Sequence, residues 1–243
     1  MLISRDWSGV TEILRKAEEY LIENGLAANI EHGFTQAGGG LQSTTLGKAI
    51  VSAALSIDEG LFVHRELERS MRKFILDDEL VIPSPSITHL TSQHLIYHCT
   101  PVYAQCEIDW KIFRSIFDGL SDTSVLVASA IGVSPTLINR MAQGGTLKED
   151  TPSDQEKLRI HRRFWISLMV QQLIKEEPLS KVAETFGIER GFLQNLSSTT
   201  SGFASMVQTF CSTLGWGNLA LLLGGFKDRL AFGIFCAGRE VDV

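Results

Sequence analysis

The stretch that most resembles a catalytic motif is a glycine-rich segment, AGGGLQSTTLGKAI, which runs from Ala37 to Ile50. A phosphate-binding P-loop needs two glycines separated by four residues and then Lys followed by Ser or Thr, because backbone amides surround the phosphates and the hydroxyl binds Mg²⁺. Here Gly40 and Gly47 are separated by six residues, and Lys48 is followed by Ala49. The P-loop pattern is therefore missing, and we interpret the segment as a glycine-rich turn before a helix capped by Thr.

Histidine and cysteine side chains form one candidate metal site. His94 and His98 are four residues apart, with Cys99 and Cys106 nearby, and two histidines at this spacing on a helix can ligate Zn²⁺. No second pair completes a tetrahedral set, and the apolar neighbours favour core positions for both histidines. We therefore expect no metal and no catalytic residues in this chain, since no other catalytic constellation rises above chance.

A polar surface without charge is the feature that most favours a binding function. Segment 190–214 predicts a helix with one regular apolar side, and no Lys, Arg, Asp or Glu occurs between Gly191 and Phe226. Exposed helix faces usually carry charges, so we expect another domain or nucleic-acid bases to lie against the polar side. The polar positions at helical spacing are Gln194, Ser198, Ser201, Ser205, Gln208 and Ser212.

A basic cluster upstream is a candidate for contacts with phosphate groups. The segment KLRIHRRFW contains Lys157, Arg159, Arg162 and Arg163 within seven residues, at the start of an amphipathic helix. Such clusters are also common on solvated helix faces. Both interpretations stay open at this point.

The elements that must position these residues are mostly helices. Residues 10–21 have helical apolar spacing before a stop at Asn24, and LAANIEHGF and LQSTTLG predict a short two-stranded wing. Ser56 and Glu59 form a capping box before a long helix, roughly Asp58 to Leu80. The sequence therefore predicts a mainly α fold.

Two segments that lie 55 residues apart, 127–141 and 182–196, share a helix-turn-helix pattern. The motif can read duplex DNA, but it is also common as ordinary packing in all-α domains. Neither second helix has the Arg, Lys and Asn side chains expected for major-groove contacts. A transcriptional reader of duplex DNA is therefore a weak alternative.

Composition limits the classes of function. The net charge of −6 gives no general attraction for nucleic acid, so DNA contacts must come from a local patch. Four cysteines without a CxxC pair favour a reducing compartment. No targeting pattern and no apolar stretch of 18 residues is present, so we expect an intracellular protein that does not contact a membrane.

Several separated segments resemble, in order and spacing, the superfamily II helicases that comprise helicase POLQ-like proteins and DNA polymerase theta. The resemblance runs from about Thr11 to Ile234, and QCEIDW and RGFLQNL look closer to helicase POLQ-like. The segments that carry it are LQSTTLGKAIVSAALSIDEGLFVHRELERSMRKFILDDEL, HLIYHCTP, QCEIDW, HRRFWISLMVQQLIKE and FGIERGFLQNL.

The resemblance implies a domain organisation. Residues 1–56 would be the end of a winged helix, 57–235 a helical ratchet domain, and 236–243 a divergent tail. Segment 81–93, with two prolines, departs from the family and is either a surface loop or a translated intron. In the family, RecA-like domains with Walker A and DExH motifs bind ATP and Mg²⁺. This chain contains neither motif, so we expect no bound cofactor and no ATP hydrolysis by the chain alone.

The resemblance also assigns a site. The family's ratchet helix lies along single-stranded DNA and falls here on Arg190 to Leu214. An Arg and a Trp of archaeal relatives align near Asn195 and Gly202, so that base stacking either falls to Phe203 or is lost. The residues expected to bind nucleic acid are Arg162, Arg163, Arg190, Gln194, Asn195, Ser198, Ser201 and Phe203.

The function implied by the resemblance is part of an ATP-dependent DNA helicase that acts in DNA repair in the nucleus. Its partners would be single-stranded or forked DNA and RecA-like helicase domains. The alternative is an all-α protein-protein interaction module without nucleic-acid contact. Salt should separate the two, because binding through phosphates weakens with salt, whereas apolar docking hardly responds.

Overall fold

The computed structural model describes residues 8–30, 40–78, 93–147 and 150–225. Within these ranges it contains eleven helices and one two-stranded antiparallel sheet, which confirms the mainly α prediction. The elements are α1 (Ser8–Glu23), β1 (Ala27–Ile30), β2 (Gly40–Ser43), α2 (Thr45–Ser52), α3 (Ile57–Asp78), α4 (93–99), α5 (Trp110–Asp118), α6 (Asp122–Ile131), α7 (Pro135–Ala142), α8 (Pro152–Ile174), α9 (Leu179–Phe186), α10 (Arg190–Thr213) and α11 (217–225).

The N-terminal helix and wing are both present. α1 ends where Gly25 adopts a φ of 69°, a left-handed conformation that glycine adopts without strain. β1 then pairs with β2, with Ala27 opposite Ser43 and Ile30 opposite Gly40. Residues 31–39, which include most of the glycine run, lie outside the described residues.

Close packing accounts for the second glycine of the apparent P-loop. A Cβ on Gly47 would lie 2.3 Å from the carbonyl oxygen of Leu26, so only glycine lets α2 approach β1 this closely. Thr44 caps α2, since its hydroxyl accepts a bond from the Gly47 amide at 3.1 Å and donates one to the Gly25 carbonyl at 2.7 Å. Gly47 and Thr44 therefore join α2 to the wing.

The long helix α3 begins with the predicted capping box. The Ser56 amide donates to the Glu59 carboxylate at 3.0 Å, and the Glu59 amide donates to the Ser56 hydroxyl at 3.3 Å. These reciprocal bonds satisfy two amides that the helix itself leaves free. Nearly all of segment 81–93 and the whole of 236–243 lie outside the described residues.

Helix α8 forms the centre of the bundle. Nearly all side chains from Ile160 to Val170 are buried, so the helix is covered on every side. A helix surrounded in this way belongs to the interior of a domain and does not form an amphipathic surface. Trp165 packs against Phe113 of α5 and Phe186 of α9, with ring centroids 5.2 and 5.0 Å apart.

Both predicted helix-turn-helix corners are confirmed. α6 and α9 end at Gly132 and Gly187, whose φ angles are 105° and 65°. The Ser134 amide, at the first corner, donates to the His161 ring at 2.9 Å and so ties α7 to α8. The apolar sides of α6 and α9 are buried, so the first helix of each unit packs in the core.

The N-terminal part and the bundle are in contact. α2 packs on α10, and the hydroxyls of Ser52 and Thr213 lie 3.0 Å apart. A domain boundary near Ser56 stays a prediction. In the described residues, no single helix has the length and apolar composition needed to span a membrane, although the bent pair α6 and α7 passes that test jointly.

Candidate nucleic-acid interface

Helix α10 divides sharply into a buried side and an exposed side. The apolar side predicted from the sequence is buried, from Leu193 to Phe210. The opposite side is open to solvent and carries no charged residue from Gly191 to the end of the described chain at Gly225. Arg190, in the first turn, is the cation that adjoins this face. The exposed or half-exposed members of the outer face are Gly191, Gln194, Asn195, Ser198, Ser201, Gly202, Ser205, Thr209 and Ser212.

Hydroxyl groups on this helix donate to its own backbone. Thr199 donates to the Asn195 carbonyl at 2.6 Å, Ser205 to that of Ser201 at 3.3 Å, and Thr209 to that of Ser205 at 3.0 Å. A hydroxyl that donates inward offers only its lone pairs outward. Phosphate oxygens are acceptors as well, so they gain little here, whereas the amino and imino groups of bases are donors. The outer face therefore suits base edges better than the phosphate backbone.

A glycine lies in the middle of this exposed face without a packing reason. A Cβ on Gly202 would meet nothing within 4 Å, and the same is true of Gly191 in the first turn. Glycine inside a helix costs about 1 kcal/mol relative to alanine. The cost is offset where another molecule must approach the backbone closely.

The structure brings five of the eight expected site residues together on α10. Arg190, Gln194, Asn195 and Ser198 are exposed, and Ser201 is half-exposed. The three others lie elsewhere or are inaccessible: Arg162, Arg163 and Phe203.

Phe203 is completely buried on the inner side of α10. Its ring contacts Tyr103 edge to face, at a centroid distance of 5.8 Å. A base therefore cannot stack on Phe203 in this conformation, although the resemblance left stacking to this residue. We place Phe203 in the core, where its position on the apolar side of α10 also puts it.

Arg163 is a core residue with only 2% of its surface exposed. Its guanidinium donates to the carbonyls of Thr100 and His98, both at 2.9 Å. It also lies over the Tyr97 ring, 4.6 Å from the centroid, where a cation is attracted to the aromatic face. We therefore assign Arg163 to the fold and not to the strand-contacting surface.

A buried polar network compensates the Arg163 charge. Burial raises the pKa of Glu66 despite the nearby charges of Arg163 and Arg69, and its carboxylate accepts bonds from Tyr97 at 3.1 Å and Arg69 at 2.9 Å. Burial also lowers the pKa of His98 well below its ordinary value, helped by His94 and Arg163. The network is interior and leaves no path for a strand.

The histidine and cysteine cluster is part of this interior. His94 and His98 are buried and stack at a centroid distance of 5.3 Å, and their Nε2 atoms lie 3.3 and 2.7 Å from the Ser70 hydroxyl. Burial raises the pKa of Cys99 to about 12, so this thiol stays protonated. In the part of the chain that the structure describes, no group of three His, Cys, Asp or Glu side chains is arranged to hold a metal.

A cleft lies between the start of α3, the loop after α4 and the N-terminal half of α8. We name it the arginine cleft; its volume is about 310 Å³, and Arg159, Arg162 and Arg163 line its α8 wall. Arg162 donates to the Gln105 side chain at 3.3 Å. Sequence reasoning placed Arg159 in the basic cluster without assigning it a site, and it missed Tyr103, a 43% exposed loop residue at this cleft. The i, i+3, i+4 spacing of the arginines indicated a shared face, but no pattern pointed to Tyr103.

Known proteins resemble this chain over most of its length. DNA polymerase theta of Drosophila melanogaster is 33% identical over 79% of the chain, and that of Mus musculus is 32% identical over 88%. Human helicase POLQ-like is 29% identical over 74%. Overall identity thus gives no support to the closer similarity to helicase POLQ-like that two short segments suggested.

The chain corresponds to a small part of these relatives. It spans 9% and 8% of the two polymerase theta sequences and 15% of human helicase POLQ-like. Residues 58–230 match the family model described as the DNA_pol_Q helicase-like region helical domain. This match covers most of α3 to α11, so the chain belongs to the family of helical domains found in the helicase-like region of DNA polymerase theta.

Proposed function

We propose that this chain is the strand-guiding helical part of an ATP-dependent DNA helicase that acts in DNA repair in the nucleus. α10 contacts the unpaired bases of single-stranded or forked DNA through its outer face. The observation that carries the proposal is the long exposed face without charge, on which the hydroxyls of Ser205 and Thr209 donate to the helix backbone. Membership of a helicase-like family supports the assignment of DNA as the ligand.

The same chemistry indicates which residues contact the phosphates and which contact the bases. Arg190 at the start of α10 contacts the phosphate backbone, while Gln194, Asn195 and Ser198 contact base edges. Movement of the strand requires RecA-like domains with ATP and Mg²⁺ in a longer protein, and the 243-residue chain alone neither binds nor hydrolyses ATP. The chain then supplies a surface that holds the strand between steps.

A single added charge on the outer face tests this role. Ser198→Glu places a carboxylate in the middle of the proposed contact surface, where it repels the phosphates of a bound strand. We expect its affinity for a labelled single-stranded oligonucleotide, measured by fluorescence anisotropy, to fall roughly tenfold or more.

The matched control is Ser115→Glu, which adds the same charge at an exposed position on α5. It should bind the oligonucleotide as the unmodified chain does. Equal losses in the two variants would mean that net charge alone controls binding, and an unchanged affinity of Ser198→Glu would exclude α10 from the interface.

One observation favours a second function, an interaction module. Apolar residues of α1 are exposed, with Val10 at 46%, Ile13 at 68% and Leu14 at 58% of their surface. Such a stripe suits a protein surface. A complex formed through these residues should hardly respond to salt, whereas a complex with DNA should weaken with salt in proportion to its few phosphate contacts.

A further inference from the structure

We infer that the arginine cleft binds a single nucleotide by its phosphate group. The site is separate from the outer face of α10, and its ligand is a nucleoside monophosphate, either free or at the end of a DNA strand. The inference starts from the guanidinium groups of α8 that line the cleft and from the aromatic residue beside them.

The first step is the supply of donors. Arg159, Arg162 and Arg163 follow the i, i+3, i+4 spacing on α8 and line one wall. Arg159 and Arg162 form no ion pair with a carboxylate of the described residues, whereas Arg163 lies near the buried carboxylate of Glu66. Two cations on one wall without a paired anion favour an oxyanion ligand.

The second step is the absence of acceptors for two buried donors. The Nη1 atom of Arg163 and the Nε atom of Arg162 are shielded from solvent and have no hydrogen-bond partner in the part of the chain that the structure describes. A buried N–H group without an acceptor is destabilising. Both side chains line the cleft, so its α8 wall holds donors that the described residues leave without acceptors.

Two carboxylates also line the cleft, but both are held at the start of α3. Glu59 accepts a bond from the Ser56 amide at 3.0 Å, and Asp58 accepts one from the Tyr20 hydroxyl at 3.3 Å. Acidic groups are favourable beside the free amides at a helix N-terminus. The N-terminus of α3 therefore accounts for the positions of both carboxylates, and the arginines of α8 stay available to a ligand.

The third step is the choice between a bare phosphate and a nucleotide. Tyr103, half-exposed beside the arginines, offers an aromatic ring, and Leu158 and Pro101 add apolar surface. Guanidinium groups beside an aromatic ring can bind both the phosphate and the base of a nucleotide. The volume of about 310 Å³ lies at the small end of ligand pockets, which suits one nucleotide.

Calorimetric titration of the full chain with dTMP, thymidine and inorganic phosphate tests the inference. We expect dTMP to bind, thymidine not to bind, and phosphate to bind more weakly than dTMP. Arg159→Gln/Arg162→Gln removes two charges from the wall while leaving the structural Arg163 in place. The affinity of this variant for dTMP should fall roughly tenfold or more. If thymidine binds as tightly as dTMP, or if dTMP does not bind at millimolar concentration, the inference is wrong.

The control for electrostatics is Arg114→Gln/Arg140→Gln, which removes two exposed arginines on α5 and α7. The affinity for dTMP should not change in this variant. If it falls as much as in Arg159→Gln/Arg162→Gln, the loss of affinity reflects net charge alone and the cleft is not the binding site. Ser198→Glu should leave dTMP binding intact, so failure of the strand proposal and failure of this one are separable.

Two oligonucleotides, identical except for a 5′-phosphate or a 5′-hydroxyl, distinguish the sources of the ligand. Displacement of dTMP by the phosphorylated strand only would identify a strand end as the ligand. Displacement by neither strand would identify a free nucleotide. If both strands displace dTMP equally, the cleft follows the DNA backbone, and the assignment of a single nucleotide is wrong.

Discussion

At the scale of single residues, Arg163 connects α3, the end of α4 and α10. Its guanidinium bonds two carbonyls of the segment that ends α4 and lies over the rings of Tyr97, Phe62 and Phe203. The sequence showed a cluster of cations but gave no sign that one of them points inward. Burial of one arginine in a basic cluster depends on the surrounding helices, which only the folded structure reveals.

Replacing Arg163 by methionine should therefore destabilise the chain. Arg163→Met leaves the carbonyls of His98 and Thr100 without their donor and removes one of the two cations near Glu66, which keeps its bond from Arg69. We expect the free energy of unfolding in urea to fall by about 3 kcal/mol. Arg162→Met, at a partly exposed site, should cost less than about 1 kcal/mol. Equal, small effects would show that Arg163 is not a core residue.

Buried histidines predict a loss of stability in mild acid. Burial lowers the pKa of His98 and His161 below the ordinary value of 6.5, so the unfolded chain binds protons first as the pH falls. Their contribution is complete above pH 6.5 and is lost below it, by roughly 1 kcal/mol per group and pH unit at most. Glu66, whose pKa is raised, offsets part of this loss because its protonation favours the folded state.

Urea unfolding at pH 7 and pH 5.5 measures this dependence. His161 donates to the Lys157 carbonyl and accepts from the Ser134 amide, so protonation breaks the second bond. His161→Gln should be less stable at pH 7 but should lose less stability on acidification. An unchanged pH slope in this variant would contradict the assignment.

At the scale of elements, the corner between α9 and α10 sets the direction of the proposed interface. Gly187 has a φ of 65°, and a Cβ there would lie 3.1 Å from Ile112 of α5. Gly187→Ala should lower the free energy of unfolding by about 1–2 kcal/mol from the backbone alone, with a further loss from the contact. Gly144, with a φ of 87° and open space around it, is the matched control.

The melting temperatures of both alanine variants, measured by thermal unfolding, separate the backbone cost from the cost of the contact with α5. Gly144→Ala should show only the backbone cost, and Gly187→Ala should melt at a lower temperature. If the two variants melt together, the corner tolerates a side chain, and close packing on α5 does not fix the direction of α10.

The exposed glycines of α10 predict opposite effects on stability and on binding. A methyl group on Gly202 meets no atom of the chain, so Gly202→Ala should stabilise the fold by up to about 1 kcal/mol. The same methyl group should weaken single-strand binding if DNA approaches the backbone there. Gly217→Ala in α11, also in open space, should leave binding unchanged. Tighter binding of DNA by Gly202→Ala would contradict close approach at this face.

Element positions were largely predictable, and the site was predictable only in part. Capping residues, glycines and apolar periodicity gave the wing, the start of α3, both corners and α10, because these signals are local. The exposed face of α10 was also predictable, since no charged residue occurs between Gly191 and Phe226. The arginine cleft was not, because it joins α3, a loop and α8, and no local pattern records which residues meet across such distances.

At the scale of the whole molecule, we expect this helical domain to bind single-stranded DNA without a motor. Its net charge of −6 opposes general attraction to nucleic acid, so we assign the expected strand binding to Arg190 and the outer face of α10. Pairing hides the Watson–Crick edges of the bases in a duplex, and the outer face lacks the Arg and Lys side chains that read the major groove, so we expect a preference for single strands.

Fluorescence anisotropy of a labelled single-stranded oligonucleotide and its duplex, at low and moderate salt, tests this claim most directly. We predict micromolar binding of the single strand, weaker binding of the duplex, and a shallow loss of affinity with salt that corresponds to few phosphate contacts. No binding of the single strand at tens of micromolar, or equal binding of the duplex, would contradict the account.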